Sequence, residues 1–461
     1  MTGIPLLIVF CLAIAIMIIA ISKFKIHPFL SLMGTSLLLA IVVGLPLVKI
    51  PGIIGSGFSG VFSSIGIVII LGALIGLILE RTGAAIRLAD VVIRCVGEKH
   101  PQLALMLMGW IVSIPVFCDS GFVILNPIRK ALCRKLQGTS PIGMAVALSG
   151  GLYVAHVFIP PTPGPIAAAG SLGLADNLAG VILVGILASI PALIAAYIVS
   201  LYISKKNISV QNDMEEENDT EASYEELVAS FHKLPGAVAS FAPIVMPIIL
   251  MAAGSIVAMA GMNGALATGL KFLGNPIIAL TVGLFFAIYL LMATNKMPSF
   301  AGITDETLKT VGPILFITAA GGVLGKVITE AGFVDFMKTN AAFLASVGVF
   351  FPFIISAILK TAQGSSTVAI TTTAGIMGMY SDSASMMSAL GLNSEMAALL
   401  TVMAIGAGAM TVSHANDSYF WVVTNFTGMD PQDGYRTQTL MTLVVGIVSM
   451  LAIFLASLIL L

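Results

Sequence analysis

The sequence predicts an all-α protein that crosses a lipid bilayer many times. Of its 461 residues, 58% are hydrophobic and 9% are charged, whereas a soluble domain has about 25% charged residues. Many windows of about 20 residues contain no charged side chain, which is the composition of a transmembrane helix. The first window, Ile4–Ser22, has no basic residue before it and no cleavage pattern of small residues after it. It is therefore interpreted as a retained span and not as a signal peptide.

Several function classes lose support from composition and motifs. No glycine-rich phosphate-binding loop of the Walker type occurs, so ATP-driven transport within this chain has no support. No cofactor, no metal and no nucleic-acid partner is expected. The cysteines have neither metal-binding nor redox spacing, and they are Cys11, Cys95, Cys118 and Cys133.

The first half of the chain, residues 1–203, is predicted to contain five spans and a hairpin. The spans lie at about 4–22, 28–47, 64–80, 140–158 and 177–203. Between the third and fourth, Ala84–Gly97 has charged and apolar residues at helical spacing, which predicts a helix along the interface. The apolar stretch Leu103–Phe117 and the short arm Phe122–Leu125 flank the polar residues 118–121. They predict a re-entrant hairpin, the alternative being two crossings with a buried turn.

Residues 204–235 interrupt the apolar pattern and predict a polar cytoplasmic linker. The stretch is rich in Asp and Glu without periodicity, which is typical of a solvated, partly disordered segment. It separates the first half from a second half at residues 236–461. Spans there are predicted at about 237–260, 275–294, 311–329, 395–413 and 437–461, with a short helix at Phe333–Lys338. A second hairpin is predicted with its tip at Gln363–Thr367.

The second half repeats the first in inverted orientation. Gly72, Gly76 and Gly83 have the same spacing as Gly321, Gly325 and Gly332, and the motif ending at His156 is similar to the one ending at His414. Each half has five crossings and a hairpin that returns to its own side, so the halves must run in opposite directions. With both termini outside the cytoplasm, all but five of the 21 Lys and Arg residues are cytoplasmic.

Each half is also predicted to contain a broken helix. The stretch His156–Pro165 contains a run of prolines that no continuous helix can include. Broken backbone at membrane depth is tolerated where it is buried in protein or lines a watery cavity. The alternative is an ordinary proline-rich loop at the membrane surface. Two inverted repeats whose broken helices meet near the midplane are the architecture of secondary transporters.

Four motifs, in this order along the chain, resemble the gluconate permease family. They are Asp119-Ser120-Gly121-Phe122, Pro160-Pro161-Thr162-Pro163-Gly164-Pro165, Gln363-Gly364-Ser365-Ser366-Thr367-Val368-Ala369 and Ser413-His414-Ala415-Asn416-Asp417. The resemblance covers essentially the whole chain. It implies a proton-coupled symporter for gluconate, a related sugar acid or a small hydroxy acid, in the cell membrane, working by an elevator motion.

Two positions depart from the family pattern and leave the substrate open. Many gluconate permeases have histidine where Thr162 stands, and valine where Ser120 stands. D-serine or glycerate transport by a member of the same family, and sodium-coupled carboxylate transport, are the alternatives. Because elevator transporters need a fixed scaffold, the resemblance also implies a homodimer.

Binding an acid near the midplane requires hydrogen-bond donors without a large fixed positive charge. Half-helix N-termini supply free N–H groups, and the residues after Gly121 and Gly364 are predicted to begin such half-helices. Serine and threonine hydroxyls can donate to a carboxylate or pair with substrate hydroxyls, unless they bond to their own helix turn. The predicted substrate-binding residues are Ser120, Gly121, His156, Thr162, Gly364, Ser365, Ser366, Thr367 and Asn416.

Proton coupling is assigned to acidic and imidazole side chains in the same motifs. Ionisable residues inside a membrane are functional by default, which makes Asp119 and Asp417 candidates, although each can instead cap the following helix. Imidazole side chains can carry protons in transport proteins, which makes His414 a third candidate. Lys360, in an apolar arm before the second tip, is predicted to compensate charge on the substrate or on an aspartate.

A channel and an intramembrane enzyme were the competing function classes. A channel needs an open polar pore, whereas the polar residues here are concentrated in a few short motifs. The histidines and aspartates have no spacing that fits a metal-binding motif, and no nucleophile–base pattern is present. The sequence therefore favours a secondary transporter and not an enzyme.

Overall fold

All the regular structure that can be described is helical. The computed structural model describes residues 4–24, 26–88, 91, 100–135, 140–206, 234–259, 262–332, 348–414 and 417–461, and these ranges contain no strand. Within these ranges, six helices are long and apolar enough to cross a membrane, and shorter apolar helices accompany them. The predicted all-α, multi-pass class is confirmed.

The helices of the first half are α1 (Ile4–Ser22), α2 (Pro28–Val42), α3 (Ile50–Arg81), α4 (Pro101–Val112), α5 (Cys118–Lys135), α6 (Pro141–Phe158), α7 (Pro163–Ser171) and α8 (Leu178–Ser204). Those of the second half are α9 (Ala237–Met259), α10 (Ala265–Leu273), α11 (Pro276–Ala293), α12 (Phe300–Glu330), α13 (Phe350–Gln363), α14 (Ser366–Met377), α15 (Met386–Ala389), α16 (Glu395–Met410), α17 (Ser418–Thr427), α18 (Pro431–Gly434) and α19 (Leu440–Leu460). A π-helical turn at Tyr435–Thr439 joins α18 to α19.

The two halves have the same order of elements. In each half, two longer helices precede one long helix, which is α3 or α12, and the second half contains the additional short helices α10, α15 and α18. A hairpin follows, α4–α5 or α13–α14, and then a broken helix, α6–α7 or α16–α17, before the last long helix. Packing follows the same symmetry, because α3 packs on α12, α4 on α6 and α13 on α16.

Local sequence explains many helix boundaries. Helices α2, α4, α6, α7 and α11 begin at a proline, whose fixed φ suits the first helical position and whose missing N–H is not needed there. Gly83 and Gly332, which the repeat pairs, follow the ends of α3 and α12 with φ of 76° and 71°. Glycine adopts this left-handed conformation without penalty.

Polar contacts join helix ends that the charge pattern predicts to lie on the same side of the membrane. Arg81 at the end of α3 binds Glu306 of α12 at 2.6 Å, and the Lys296 ammonium donates to the Arg81 carbonyl at 2.7 Å. The charge count places Arg81 and Lys296 on one side. On the other, the Asn177 amide donates to Glu395 at 2.5 Å.

The first hairpin tip differs from its predicted position. The tip is the connection Ser113–Phe117, and residues 118–121 form the first turn of α5. The second tip is as predicted, because α13 ends at Gln363 and α14 begins at Ser366. The long helices α3 and α12 also extend well beyond the predicted 64–80 and 311–329.

Three predicted segments lie mainly or wholly outside the described residues. Nearly all of the linker at 204–235 and the short helix Phe333–Lys338 belong to this group. The interfacial helix Ala84–Gly97 is described only at residues 84–88 and 91. Its first residues, 84–88, are helical and Ala84, Ala85 and Leu88 are buried.

Candidate functional site

A buried ion pair joins the second hairpin to the second helix break. Lys360, in the last turn of α13, is 0% exposed, and Asp417, immediately before α17, is 4% exposed. The ammonium lies 2.6 Å from the Asp417 carboxylate. Desolvating two charges is costly unless their geometry is good and further hydrogen bonds satisfy them, so the remaining contacts of each side chain matter.

The Lys360 ammonium has two further neighbours. It donates to the Gly364 carbonyl at the hairpin tip, and it lies 5.6 Å from the centre of the Tyr153 ring. Gly364 has φ of 93°, a conformation in which glycine ends a helix readily. A cation over an aromatic ring and at a helix C-terminus is favourable in both positions.

Asp417 uses both of its carboxylate oxygens. Oδ1 accepts from the Tyr419 backbone N–H at 3.1 Å, which caps α17. Oδ2 accepts from the Ser413 hydroxyl at 2.5 Å as well as binding Lys360. Ser413 is itself held by Thr439 and Thr442, which bond its carbonyl and its N–H. The carboxylate therefore has a fixed position.

The backbone before this carboxylate is strained. Val412, in the break between α16 and α17, has φ of 60°, which is unfavourable for a β-branched residue. Such conformations cost of the order of 1–3 kcal/mol and occur at functional sites when the surrounding structure holds them. The buried Thr411 and Ser413 on either side supply such support.

Asp119 lies beside this pair, on the first turn of α5. Its Oδ1 accepts from the Ser418 hydroxyl at 3.1 Å, and its other oxygen is 3.5 Å from the Cys118 sulfur. Asp119 is only partly buried, and it is close enough to Asp417 for the two carboxylates to interact electrostatically. The two aspartates predicted for proton coupling are thus brought together.

Aromatic side chains form one wall of the site. The Tyr153 ring lies 5.1 Å from Tyr419 and 6.4 Å from His156, and Phe117 lies 6.1 Å from His156. His156 is 4% exposed, and its Nδ1 has no hydrogen-bond partner among the described residues. A buried polar atom of this kind is ready to bind a ligand or water.

Sequence reasoning missed Tyr153 and Tyr419 as site residues. The Tyr419 hydroxyl donates to the Ser149 carbonyl at 3.1 Å, and that of Tyr153 to the Ala409 carbonyl at 3.4 Å. Each therefore links a broken helix of one half to that of the other. The available signal was a tyrosine in a motif at membrane depth, where its hydroxyl requires a partner.

The second hairpin tip directs a helix N-terminus toward the site. Ser365 caps α14 by accepting from the Val368 N–H at 3.3 Å, and Ser366, 8% exposed, faces the Tyr153 hydroxyl. Thr367 follows on the first turn and is partly buried. Free N–H groups at this N-terminus favour an anion.

Other predicted site residues have structural contacts or are not described. Thr162 donates to the carbonyls of His156 and Ile159 at 3.0 and 2.7 Å, which holds the end of α6. The His414 ring lies 3.0 Å from the Thr361 carbonyl. Gly121 packs against Leu152 of α6, so its missing side chain serves helix packing. Asn416 and the side chain of Ser120 lie outside the described residues.

A cavity of about 100 Å³ approaches the site from the side of the Arg81–Glu306 pair. It is lined by Glu80, Glu306, Thr307 and the first hairpin tip, including Phe117. The Phe117 ring belongs both to the wall of this cavity and to the aromatic wall of the site, where it lies near His156.

Residues 4–459 match the family described as GntP family permease. The inner membrane permease YgbN of Escherichia coli is 32% identical over 97% of both chains. Gluconate permeases of Pseudomonas aeruginosa and Bacillus subtilis are 29% and 28% identical, over 96% and 99% of this chain and 96% and 100% of theirs.

Solved transporter structures share the fold at low identity. The YdaH transporter of Alcanivorax borkumensis has a TM-score of 0.60 and 16% identity, covering 94% of this chain and 97% of its own. MtrF of Neisseria gonorrhoeae, from a class of antimetabolite efflux pumps, has a TM-score of 0.60 and 15% identity, covering 95% and 96%. The family match over nearly the whole chain decides its class: the chain belongs to the GntP family of permeases, which are multi-pass membrane transporters and not enzymes.

Proposed function

We propose that this permease is a proton symporter that carries gluconate or a related sugar acid across the cell membrane. The observation that carries the proposal is the buried Lys360, which lies beside the N-terminus of α14 and pairs with Asp417, next to a second aspartate, Asp119. The site thus combines a cation for a carboxylate with acids that can take up a proton. Relatives named gluconate permease, similar over nearly their whole length, support this substrate class.

A sugar acid fits the chemistry of these side chains. Its carboxylate pairs with the Lys360 ammonium and accepts from the N–H groups that begin α14. Its hydroxyls meet the Ser366 and Thr367 hydroxyls and the unpartnered Nδ1 of His156. Ser120 and Asn416 complete the proposed set from the neighbouring motifs.

Proton coupling follows from the electrical cost of moving an anion. Entry of one negative charge against an interior-negative potential is opposed by about 2.3 kcal/mol per 100 mV. One cotransported proton cancels this charge. The carboxylates of Asp119 and Asp417 are the candidate carriers, and His414 lies on the same break, next to the second hairpin through Thr361.

An elevator motion suits the way the hairpins meet the long helices. Gly321 and Gly325 of α12 lie against the backbone of α14 at Thr371 and Gly375. Gly72 of α3 lies against Pro161 at the first break in the same manner. Backbone surfaces without large side chains can slide past each other. In this proposal, α3 and α12 belong to a scaffold that is fixed within a homodimer.

Uptake by purified protein in proteoliposomes tests this function. Wild-type protein is expected to accumulate labelled gluconate when only a pH difference is imposed, and unlabelled aldonates should compete better than hexuronates, glycerate or D-serine. Lys360→Gln should abolish uptake, whereas Lys326→Gln, at an exposed lysine, should not. Accumulation driven only by a sodium gradient, or competition only by D-serine or glycerate, would overturn the proposal in favour of that alternative.

A further inference from the structure

We propose that the substrate carboxylate replaces Asp417 at Lys360, so that protonation of Asp417 and binding of the acid are one exchange at a single buried cation. This inference rests on the proposed function and identifies its coupling step. In the described structure the cation is already occupied, because Asp417 lies 2.6 Å from the Lys360 ammonium. A second carboxylate can pair with the same ammonium only if Asp417 releases it.

The charge balance makes this exchange obligatory. In the described structure the buried cation and Asp417 form one ion pair that has no net charge. The loaded site also contains one pair, between Lys360 and the substrate, while Asp417 is a neutral acid. Substrate without a proton would leave an unpaired buried anion, and a proton without substrate would leave an unpaired buried cation. Both intermediate states are strongly unfavourable in a desolvated site, so neither ion should be carried alone.

Within the described residues, none of the titratable groups that face the pair is a second lysine or arginine. Cys118 and Asp119 face the pair from α5, Tyr153 and His156 from α6, and Tyr419 from α17. His414, on the same break as Asp417, has its ring 3.0 Å from the Thr361 carbonyl. Among these groups, Asp119 is the other carboxylate, but its described hydrogen bonds go to Ser418 and Cys118 and not to Lys360. Lys360 is therefore the cation for which Asp417 and the substrate compete.

The neighbouring contacts allow the exchange without leaving either side chain unsatisfied. When Lys360 leaves, Asp417 retains the Ser413 hydroxyl and the Tyr419 N–H. The ammonium retains the Gly364 carbonyl and the Tyr153 ring. Because Gly364 and Ser365 immediately precede α14, a carboxylate at Lys360 lies beside the free N–H groups of that helix.

Binding of gluconate to purified protein as a function of pH tests the exchange. In the wild type, affinity should fall by about tenfold per pH unit in the range where binding takes up one proton. Asp417→Asn imitates the neutral acid, so its affinity should be independent of pH. The same variant should catalyse counterflow but not pH-driven accumulation. Asp430→Asn, the same change at an exposed residue, should behave as the wild type.

Ser413→Ala provides a second measurement if Asp417→Asn does not fold. Losing the Ser413 hydroxyl removes a hydrogen bond that favours the ionised carboxylate, so the pH at which affinity begins to fall should rise by about one unit. An unshifted profile would overturn the inference, as would wild-type pH dependence in Asp417→Asn. A flat profile in Asp119→Asn alone would also overturn it, since the proton would then bind at Asp119. Failure of the wild type to bind any acid in the panel would instead overturn the proposed function.

Discussion

Removing the charge of Lys360 alone should destabilise the protein more than removing the charges of Lys360 and Asp417 together. Lys360→Met leaves the Asp417 carboxylate buried without its cation, which is expected to cost about 3–5 kcal/mol of stability. Adding Asp417→Asn removes the orphaned charge and should recover much of this loss. Thermal unfolding in detergent measures both variants, with Lys326→Met as the control for loss of an exposed lysine. A double variant as unstable as Lys360→Met would contradict the pairing.

Alanine substitutions at the second hairpin tip should distinguish a serine that only caps a helix from one that also binds the substrate. Ser365 and Ser394 cap α14 and α16 in the same way, so replacing either with alanine should cost about 1 kcal/mol of stability. Only Ser365→Ala and Ser366→Ala should also weaken gluconate binding, by about 1 kcal/mol for each lost hydrogen bond, or roughly fivefold. If the Ser365 and Ser394 variants bind gluconate equally well, Ser365 only caps α14 and does not bind the substrate.

At the scale of helices, the contact between α12 and α14 leaves no room for added volume. A methyl group at Gly325 would meet the Gly375 carbonyl, whereas one at Gly302, on the same helix, meets nothing. Gly325→Ala should cost about 1–3 kcal/mol through overpacking and should slow uptake. Gly302→Ala should be neutral or stabilise by about 0.5–1 kcal/mol. Uptake rates and unfolding temperatures of both variants check this prediction. Unchanged uptake and stability in Gly325→Ala would contradict a close contact between α12 and α14.

The two hairpins differ in how well sequence predicts their tips. The second tip has local signals, since Gly364 ends one helix in a left-handed conformation and Ser365 caps the next. The first tip, Ser113–Phe117, is apolar apart from its serine because it is buried in protein, so it resembles the helix before it. The polar residues 118–121 were therefore assigned to the tip, although they begin α5.

For the whole molecule, the repeat could be predicted but its detailed alignment could not. Span positions and the paired glycines Gly83 and Gly332 agree with the structure. The paired histidines do not occupy equivalent places, because His156 lies inside α6 and His414 lies beyond the end of α16. The ion pair between Lys360 and Asp417 was likewise one of several open pairings, since a contact over that separation depends on tertiary packing.

The membrane sidedness of the fold can be tested by labelling single cysteines. In a background without the four natural cysteines, a cysteine at Lys206 or Lys296 should react only from the cytoplasmic face. One at Asp176 or Asp382 should react only from outside, because these residues lie at the opposite ends of the helices. Labelling of Lys206 and Lys296 from opposite faces would contradict the inverted arrangement.

One-to-one symport of a proton with the acid is tested most directly by measuring transport while the pH difference and the membrane potential are set independently. If one proton accompanies each singly charged acid, the loaded carrier moves no net charge. Labelled gluconate should then accumulate under a pH difference alone, to the same extent with or without an imposed potential. Accumulation that follows the potential, or that persists when no pH difference is present, would contradict one-to-one proton symport at this site.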